Sequence, residues 1–346
     1  MIKYLGSKRT LLPVILDAVR ASGARSVFDV FSGTARVGHA LKGADFAVVS
    51  NDHNAYAHVL ARCYVEADRD AVIDDASKLI DEFNRLPGKA GYFTDTFCVR
   101  SRYIQPHNGQ RIDAIRDAIA AKSLDPMLEA VMLTSLMEAA DRVDSTAGVQ
   151  MAYLKQWAKR SFKPLEMRMP DVLPGSGCRA LGLDAFDACR QVQADLAYVD
   201  PPYNQHSYLG NYHVWESLVR WDKPQVYGIA CKRVDCRDRR SVFNSRRAFE
   251  SSLRRLLRSL QVRTIVLSFN NEGYLTREQI ESIIHELNPT DVRTVDVDYK
   301  RYVGAQIGIY NPQGRKVGKV SHLRNTECVY LVRTSQSPAM EVASTR

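Results

Sequence analysis

The stretch RSVFDVFSGTARVGHALKGADFAVVSND, residues 25–52, sets two apolar runs on either side of a short helical segment. RSVFDVF has the length and content of a buried strand, ARVGHALKG the pattern of a helix stopped by its glycine, and DFAVVSND that of a second strand. NAYAHVLARCYVEA, residues 54–67, follows as another helix. Strand, helix, strand, helix in that order predicts a parallel sheet with helices on both faces.

The same alternation resumes near residue 180. DLAYVD (195–200) and TIVLSF (264–269) read as strands, and NYHVWESLVRW (211–221), RRAFESSLRRLLRSL (246–260) and TREQIESIIHEL (276–287) as helices. DVRTVDVDY (291–299) and ECVYLVR (327–333) are terminal strands. Thr276 opens its helix with Glu278 in the first turn, where the helix dipole favours an acid. Residues 1–85 and 180–334 thus read as two halves of one α/β domain. Residues 86–179 change character. LPGKAGYFTDTF and RYIQPHNGQR are turn-rich, RIDAIRDAIAAK is amphipathic at Ile112, Ile115 and Ile119, and MLEAVMLTSLMEAADRV is apolar enough for a buried helix. The basic, aromatic stretch YLKQWAKRSFKPLEMRMP closes this region, which we read as an inserted, mainly helical recognition module. Residues 335–346 read as a disordered tail.

The chain of 346 residues is 45% hydrophobic and 25% charged, as globular proteins are. No run of roughly 18 apolar residues would cross a membrane, and MIKYLGSKRTLLPVI does not read as a signal peptide. A cytoplasmic protein with no membrane partner is expected. Seven cysteines without CxxC spacing point to free thiols, and no metal-ligand set stands out. The net charge of +9 is local, with seven basic residues against two acids in residues 232–247 and six against none in 299–326. Such blocks suit a polyanion; Lys155, Lys159 and Arg160, or Arg237, Arg239 and Arg240, are the candidates for DNA contact. No obligatory protein partner is evident.

Ligands of an open parallel sheet bind beyond the carboxyl ends of its strands. Asp29, Phe31, Ser32, Gly33 and Thr34 occupy such an end, where Gly33 allows close backbone approach and the next helix offers unpaired N–H donors. Asp52 ends the second strand, in position to accept hydrogen bonds from ribose hydroxyls. The spacing fits an adenosine-bearing cofactor and equally a dinucleotide. Asp184, at the next strand end, is either an acceptor for an adenine amino group flanked by Phe186 or the N-cap of the helix that follows.

The strand 195–200 ends in Asp200, Pro201, Pro202 and Tyr203. Prolines donate no ladder hydrogen bond and fix their own φ, so the turn is stiff. An exocyclic amino nitrogen on a base is a poor nucleophile because its lone pair is delocalised into the ring. If the Asp200 carboxylate and the Pro201 carbonyl each accept one amino hydrogen, the nitrogen is drawn toward tetrahedral geometry and its lone pair turns toward an electrophile. Preorganised acceptors then stabilise the charge that develops, and Asp200 can take the released proton. The Tyr203 ring suits a base flipped out of a duplex, returning about 1–3 kcal/mol of lost stacking.

In order and spacing, KYLGSK, DVFSGTARVG, SNDHN, LDAF, DPPYN, YLGNYHVWESL and VLSFNNEGYL resemble the motifs of Dam-like N6-adenine-specific DNA methyltransferases, across most of the chain. The resemblance implies an α/β, Rossmann-like, doubly wound, mostly parallel sheet of the class I methyltransferase kind, with an inserted target-recognition domain. It implies S-adenosyl-L-methionine as methyl donor, double-stranded DNA as partner, and a restriction-modification or phage or host DNA modification role. By the same resemblance Tyr4 and Lys8 line the cofactor pocket, Asp52 holds the ribose, and Asp200 stands between cofactor and target amine. Where members often have a second glycine in the first loop this chain has Ala35, which works if Gly33 alone takes the unusual conformation. The same corner serves any planar amine, so cytosine N4 or RNA is the alternative substrate. A DNA-binding protein that has lost the chemistry is the alternative of another class.

Overall fold

The computed structural model describes residues 1–151, 153–154, 156–300, 309–310, 316–318 and 324–335. Lys155, most of the basic stretch 299–326 and the tail beyond residue 335 lie outside the described residues. In chain order the elements are α1 (Leu12–Ser22), β1 (Ser26–Asp29), α2 (Arg36–Lys42), β2 (Ala47–Asn51), α3 (Ala55–Ala61), α4 (Arg69–Arg85), α5 (Pro106–Lys122), α6 (Pro126–Arg142) and β3 (Arg179–Leu181). They continue with α7 (Ala185–Gln191), β4 (Leu196–Val199), α8 (Tyr208–Asn211), α9 (His213–Arg220), α10 (Phe249–Ser259), β5 (Thr264–Asn270), α11 (Arg277–His285), β6 (Pro289–Lys300) and β7 (Arg324–Thr334).

These strands make one seven-stranded sheet in the order β3-β2-β1-β4-β5-β7-β6. The pairs from β3 to β5 are parallel, and β7 runs antiparallel to both of its neighbours. The order reverses between β1 and β4, which fixes where a ligand cleft opens. Because β7 runs backwards, its first residues lie beside the carboxyl ends of the parallel strands, and Glu327 pairs in register with Asn270 of β5.

Alternation along each strand feeds two cores. Val27, Leu196, Tyr198 and Val266 face one; Phe28, Ala197, Val199, Ile265 and Leu267 face the other. Helices α7, α10 and α11 cover the second face through Ala188, Leu253, Leu256 and Ile280. On the first face Ile112, Ile115 and Ile119 of α5 and Val131, Met132 and Leu136 of α6 share one continuous core with Val27 and Leu196. The helices of the region 86–179 therefore pack into the layer that covers the sheet, each buried Ile or Leu contributing about 1.5–3 kcal/mol. Asp125 caps α6 by accepting from Met127 N with Pro126 in its first turn, and Thr276 and Gln279 make a reciprocal box at the start of α11. No helix among the described residues is long and apolar enough to cross a membrane.

Candidate active site

Two cavities meet at the carboxyl edge of the sheet and share Tyr4, Gly6, Ser7, Lys8 and Tyr208 as lining. The first is bounded by Asp29, Phe31, Ser32, Gly33, Thr34 and Asp52, with Asp200 and Pro202 at its side. The second is lined by Tyr203 and the loop that follows it, by Asn211, and by Asn270 and Glu327. The stiff corner at the end of β4 thus presents its acid to one cavity and its aromatic ring to the other. The corner is also braced: Tyr274 N donates to Tyr203 O at 3.0 Å, and Asn244 Nδ2 to Asn204 O at 2.9 Å.

Lys8 joins the cavities electrostatically. Its Nζ lies 2.9 Å from Asp200 Oδ1 and 2.5 Å from Glu327 Oε1, and 5.9 Å from the centre of the Tyr203 ring. Burial alone would depress the ammonium, but the charges of Asp200 and Glu327 outweigh it and hold Lys8 well above the ordinary lysine range. Burial lifts Asp200 to about 6, Lys8 opposing and Glu327 adding to the rise. Burial also works against ionised Glu327, yet Lys8 and hydrogen bonds from Ser268 and Asn270 win, keeping it below the usual carboxylate range.

The loop after β1 is shaped by close approach. At Gly33, φ is 53°, and a Cβ there would stand 3.2 Å from Tyr4 Cε1. The Tyr4 ring stacks on Tyr208 and Tyr212 at centroid distances of 5.1 and 4.6 Å. Gly33 N donates to Asp52 Oδ2 at 3.1 Å, and Asn54 N to Asp52 Oδ1 at 2.9 Å, so the acid of β2 and the glycine loop of β1 are locked together. Ala35 corrects the sequence expectation. It too is left-handed, with φ 59°, because its N–H closes a tight turn onto Ser32 O at 2.7 Å before α2 begins. An L-residue there costs roughly 1–2 kcal/mol.

Asp29 is 1% exposed, and its Oδ1 has no hydrogen-bond partner among the described residues. Burial, and then the charges of Asp200 and Asp52, push it up to about 8. The charges that act on Asp29 are both carboxylates, a setting that a positively charged ligand fits.

Asp184 and Phe186 are not among the residues lining either cavity. β3 ends at Leu181, and Asp184 caps α7 by accepting from Phe186 N at 2.9 Å. Phe186 stacks on Phe243 at 5.9 Å and lies under the Arg255 guanidinium, while Phe31 meets the edge of Phe243 at 5.2 Å. The basic candidates divide. Arg160 is tied to Asp144 at 2.8 Å, and Arg239, which lines the first cavity, to Glu216 at 3.0 Å. Arg233 of the same block is buried between Asp222 and Asp235. Lys159, Arg237 and Arg240 are exposed, Arg237 lying 4.1 Å from the centre of the Tyr227 ring. The sequence reading missed Glu327. Its signal was faint: Ser268 and Asn270, two apart on an otherwise apolar strand, share a face and await a partner.

The family model of the D12 class of N6 adenine-specific DNA methyltransferases matches residues 4–283. Type II methyltransferase M.NlaIII of Neisseria lactamica is 30% identical over 315 residues, 87% of this chain and 92% of that protein. Modification methylase StsI of Streptococcus sanguinis is 28% identical over 320 residues, and Type II methyltransferase M.FokI of Planomicrobium okeanokoites 29% over 324; each alignment covers 87% of this chain. The chain spans about half the length of those two, 49% and 50%. With the match running over most of its length, and the acid of the proline corner standing at the cleft of a seven-stranded sheet, the chain belongs to the D12 class of N6 adenine-specific DNA methyltransferases.

Proposed function

We propose that this protein transfers the methyl group of S-adenosylmethionine to N6 of an adenine flipped out of duplex DNA, in a type II modification role. The observation that carries the reading is the Asp200 carboxylate on the first cavity, with Tyr203 of the same corner on the second. The methyl donor, bound in the first cavity, supplies an electrophilic sulfonium methyl. Asp52 and the Gly33 loop hold its nucleoside part, and the carboxylate of Asp29 balances its positive charge. In the second cavity Tyr203 stacks on the extruded base. Asp200 and the Pro201 carbonyl accept the two amine hydrogens and turn the nitrogen lone pair toward the first cavity.

Residues 86–179 carry target recognition in this reading, and exposed Lys159, Arg237 and Arg240 meet DNA phosphates. Phosphate neutralisation predicts that Arg237→Ala with Arg240→Ala lowers the slope of log affinity against log salt by about 2, as two released counterions require. An unchanged slope in a binding titration removes them from the footprint. The reaction is tested by incubating the protein with labelled S-adenosylmethionine and either unmodified duplex DNA or RNA, then identifying the modified nucleoside. N6-methyladenine in DNA is the expected product; N4-methylcytosine alone, or label confined to RNA, overturns the assignment.

A further inference from the structure

Lys8 is held from two sides. Its Nζ reaches Asp200 Oδ1 and Glu327 Oε1, and only 7% of the residue remains exposed. Glu327 is itself fixed, accepting from Ser268 Oγ at 2.5 Å and from Asn270 Nδ2 at 3.3 Å. A buried ammonium set against a single carboxylate cancels most of that carboxylate's field. For methyl transfer to an amine this is the wrong balance. The N–CH₃ bond forms as the S–CH₃ bond breaks with its electron pair returning to sulfur, and the nitrogen becomes positive until its extra proton passes to Asp200 and on to water. The acceptor facing that nitrogen has to stay negative.

With Glu327 in place, two carboxylates share one ammonium and the cluster keeps one net negative charge. We propose that Glu327 is a positioning residue that acts through Lys8: it draws the ammonium onto one oxygen of Asp200, leaves the other for the amine, and keeps the catalytic corner net negative. The inference rests on the methyl-transfer reading above. It concerns a residue delivered by the antiparallel strand β7, 319 positions from Lys8 in the chain.

The groups that face Asp200 are Lys8 from the amino-terminal turn, Glu327 of β7, Asp29 of β1, Tyr198 of β4, Tyr203 of the corner and Tyr208 of α8. Burial raises all three phenols, so they stay neutral, and the charge balance lies with Lys8, Glu327 and Asp29. Removing the negative charge of Glu327 lowers the pKa of Asp200.

The experiment uses the full chain, unmodified genomic DNA and labelled S-adenosylmethionine under single-turnover conditions across pH. Glu327→Gln, close to isosteric, is expected to slow transfer about tenfold or more and to move the acid limb of the rate profile to lower pH. Glu327→Asp restores most of the rate and returns the limb toward its original position. In a Lys8→Met background Glu327→Gln adds no further loss, because the two residues act as one unit. A purely structural role for Glu327 would slow transfer without moving the limb, and its losses would add to those of Lys8→Met. Either result, or a wild-type rate in Glu327→Gln, overturns the inference. Should Glu327→Gln fail to fold, Ser268→Ala, which loosens Glu327 without removing its charge, is expected to slow transfer a few-fold, and a wild-type rate there is equally fatal. If the unaltered protein makes no N6-methyladenine, the reading of its function falls; if it does and Glu327→Gln matches it, only this inference falls.

Discussion

Asp29 and Asp200 stand at the ends of neighbouring parallel strands, β1 and β4, on the same cavity, and their surroundings differ in one respect. Asp200 has the Lys8 ammonium at 2.9 Å; Asp29 is hydrogen-bonded by the Ser50 hydroxyl and the Gly38 backbone, and its other oxygen has no partner among the described residues. Burial raises both, to about 6 in the first case and about 8 in the second. The difference lies in what each acid awaits. Asp200 carries its own counter-ion and is ionised at neutral pH, ready to accept a proton, whereas Asp29 stays protonated until something positive enters the cavity. The two loops are stiffened differently as well: prolines fix the corner after β4, while the loop after β1 relies on two left-handed residues, Gly33 and Ala35.

The contrast breaks most directly at Asp200. Asp200→Ala is expected to cost about 10²–10³-fold in transfer rate, the scale of a lost transition-state acceptor, with cofactor affinity by calorimetry remaining within about tenfold. Equal loss of rate and affinity would make Asp200 a cofactor ligand first and erase the distinction. Asp52→Ala tests the opposite side. It removes the acceptor locked to Gly33 N and is expected to weaken cofactor binding about tenfold or more, the worth of a charge-assisted hydrogen bond or two, while bound cofactor still reacts. A normal calorimetric affinity refutes its ribose role.

Asp29 sharpens the comparison through pH. In the unfolded chain this acid ionises near pH 4, and in the folded chain at about 8. Below the lower value both states hold the proton; between the two only the folded state does, so its contribution to stability is lost as pH rises through that window. Asp29→Asn is expected to flatten the decline of Tm from pH 5 to 8 in the ligand-free protein, and an unaltered slope in thermal unfolding would mean that the acid is not protonated there. The smallest effect belongs to Ala35→Gly. It relieves a left-handed φ but gives up a buried methyl and stiffens nothing in the unfolded chain, so Tm is expected to rise by no more than about 3 °C, consistent with a net gain under about 1 kcal/mol. A fall in Tm would show that the methyl matters more than the strain.

Much of this was legible along the chain. The parallel sheet follows from strand and helix alternation, and the six runs read as strands fall in β1, β2, β4, β5, β6 and β7, whereas β3 ends at Leu181, short of Asp184. The corner at Asp200 and the glycine loop were legible because proline and glycine restrict or release the backbone wherever they stand. Charge pairing was not legible where the partners are distant. Arg160, Arg233 and Arg239, all in basic stretches, each pair with an acid that lies outside the stretch: Asp144, Asp222 and Glu216, at 16, 11 and 23 positions. Asp184 caps α7, a local hydrogen bond that its spacing to Phe186 N already allowed.

By itself, the sequence determined the order of strands and helices, the stiffness of the turn after β4 and the chemistry of its acid, because all of these depend on residues within a few positions of one another. Tertiary structure alone decided which charges meet. Strand β7 turning back along β5 brings Glu327 to Lys8, and the packing of the amino-terminal turn against the sheet brings Lys8 to Asp200; a charge interaction depends on separation through space and on burial, and neither is written in the spacing along a chain.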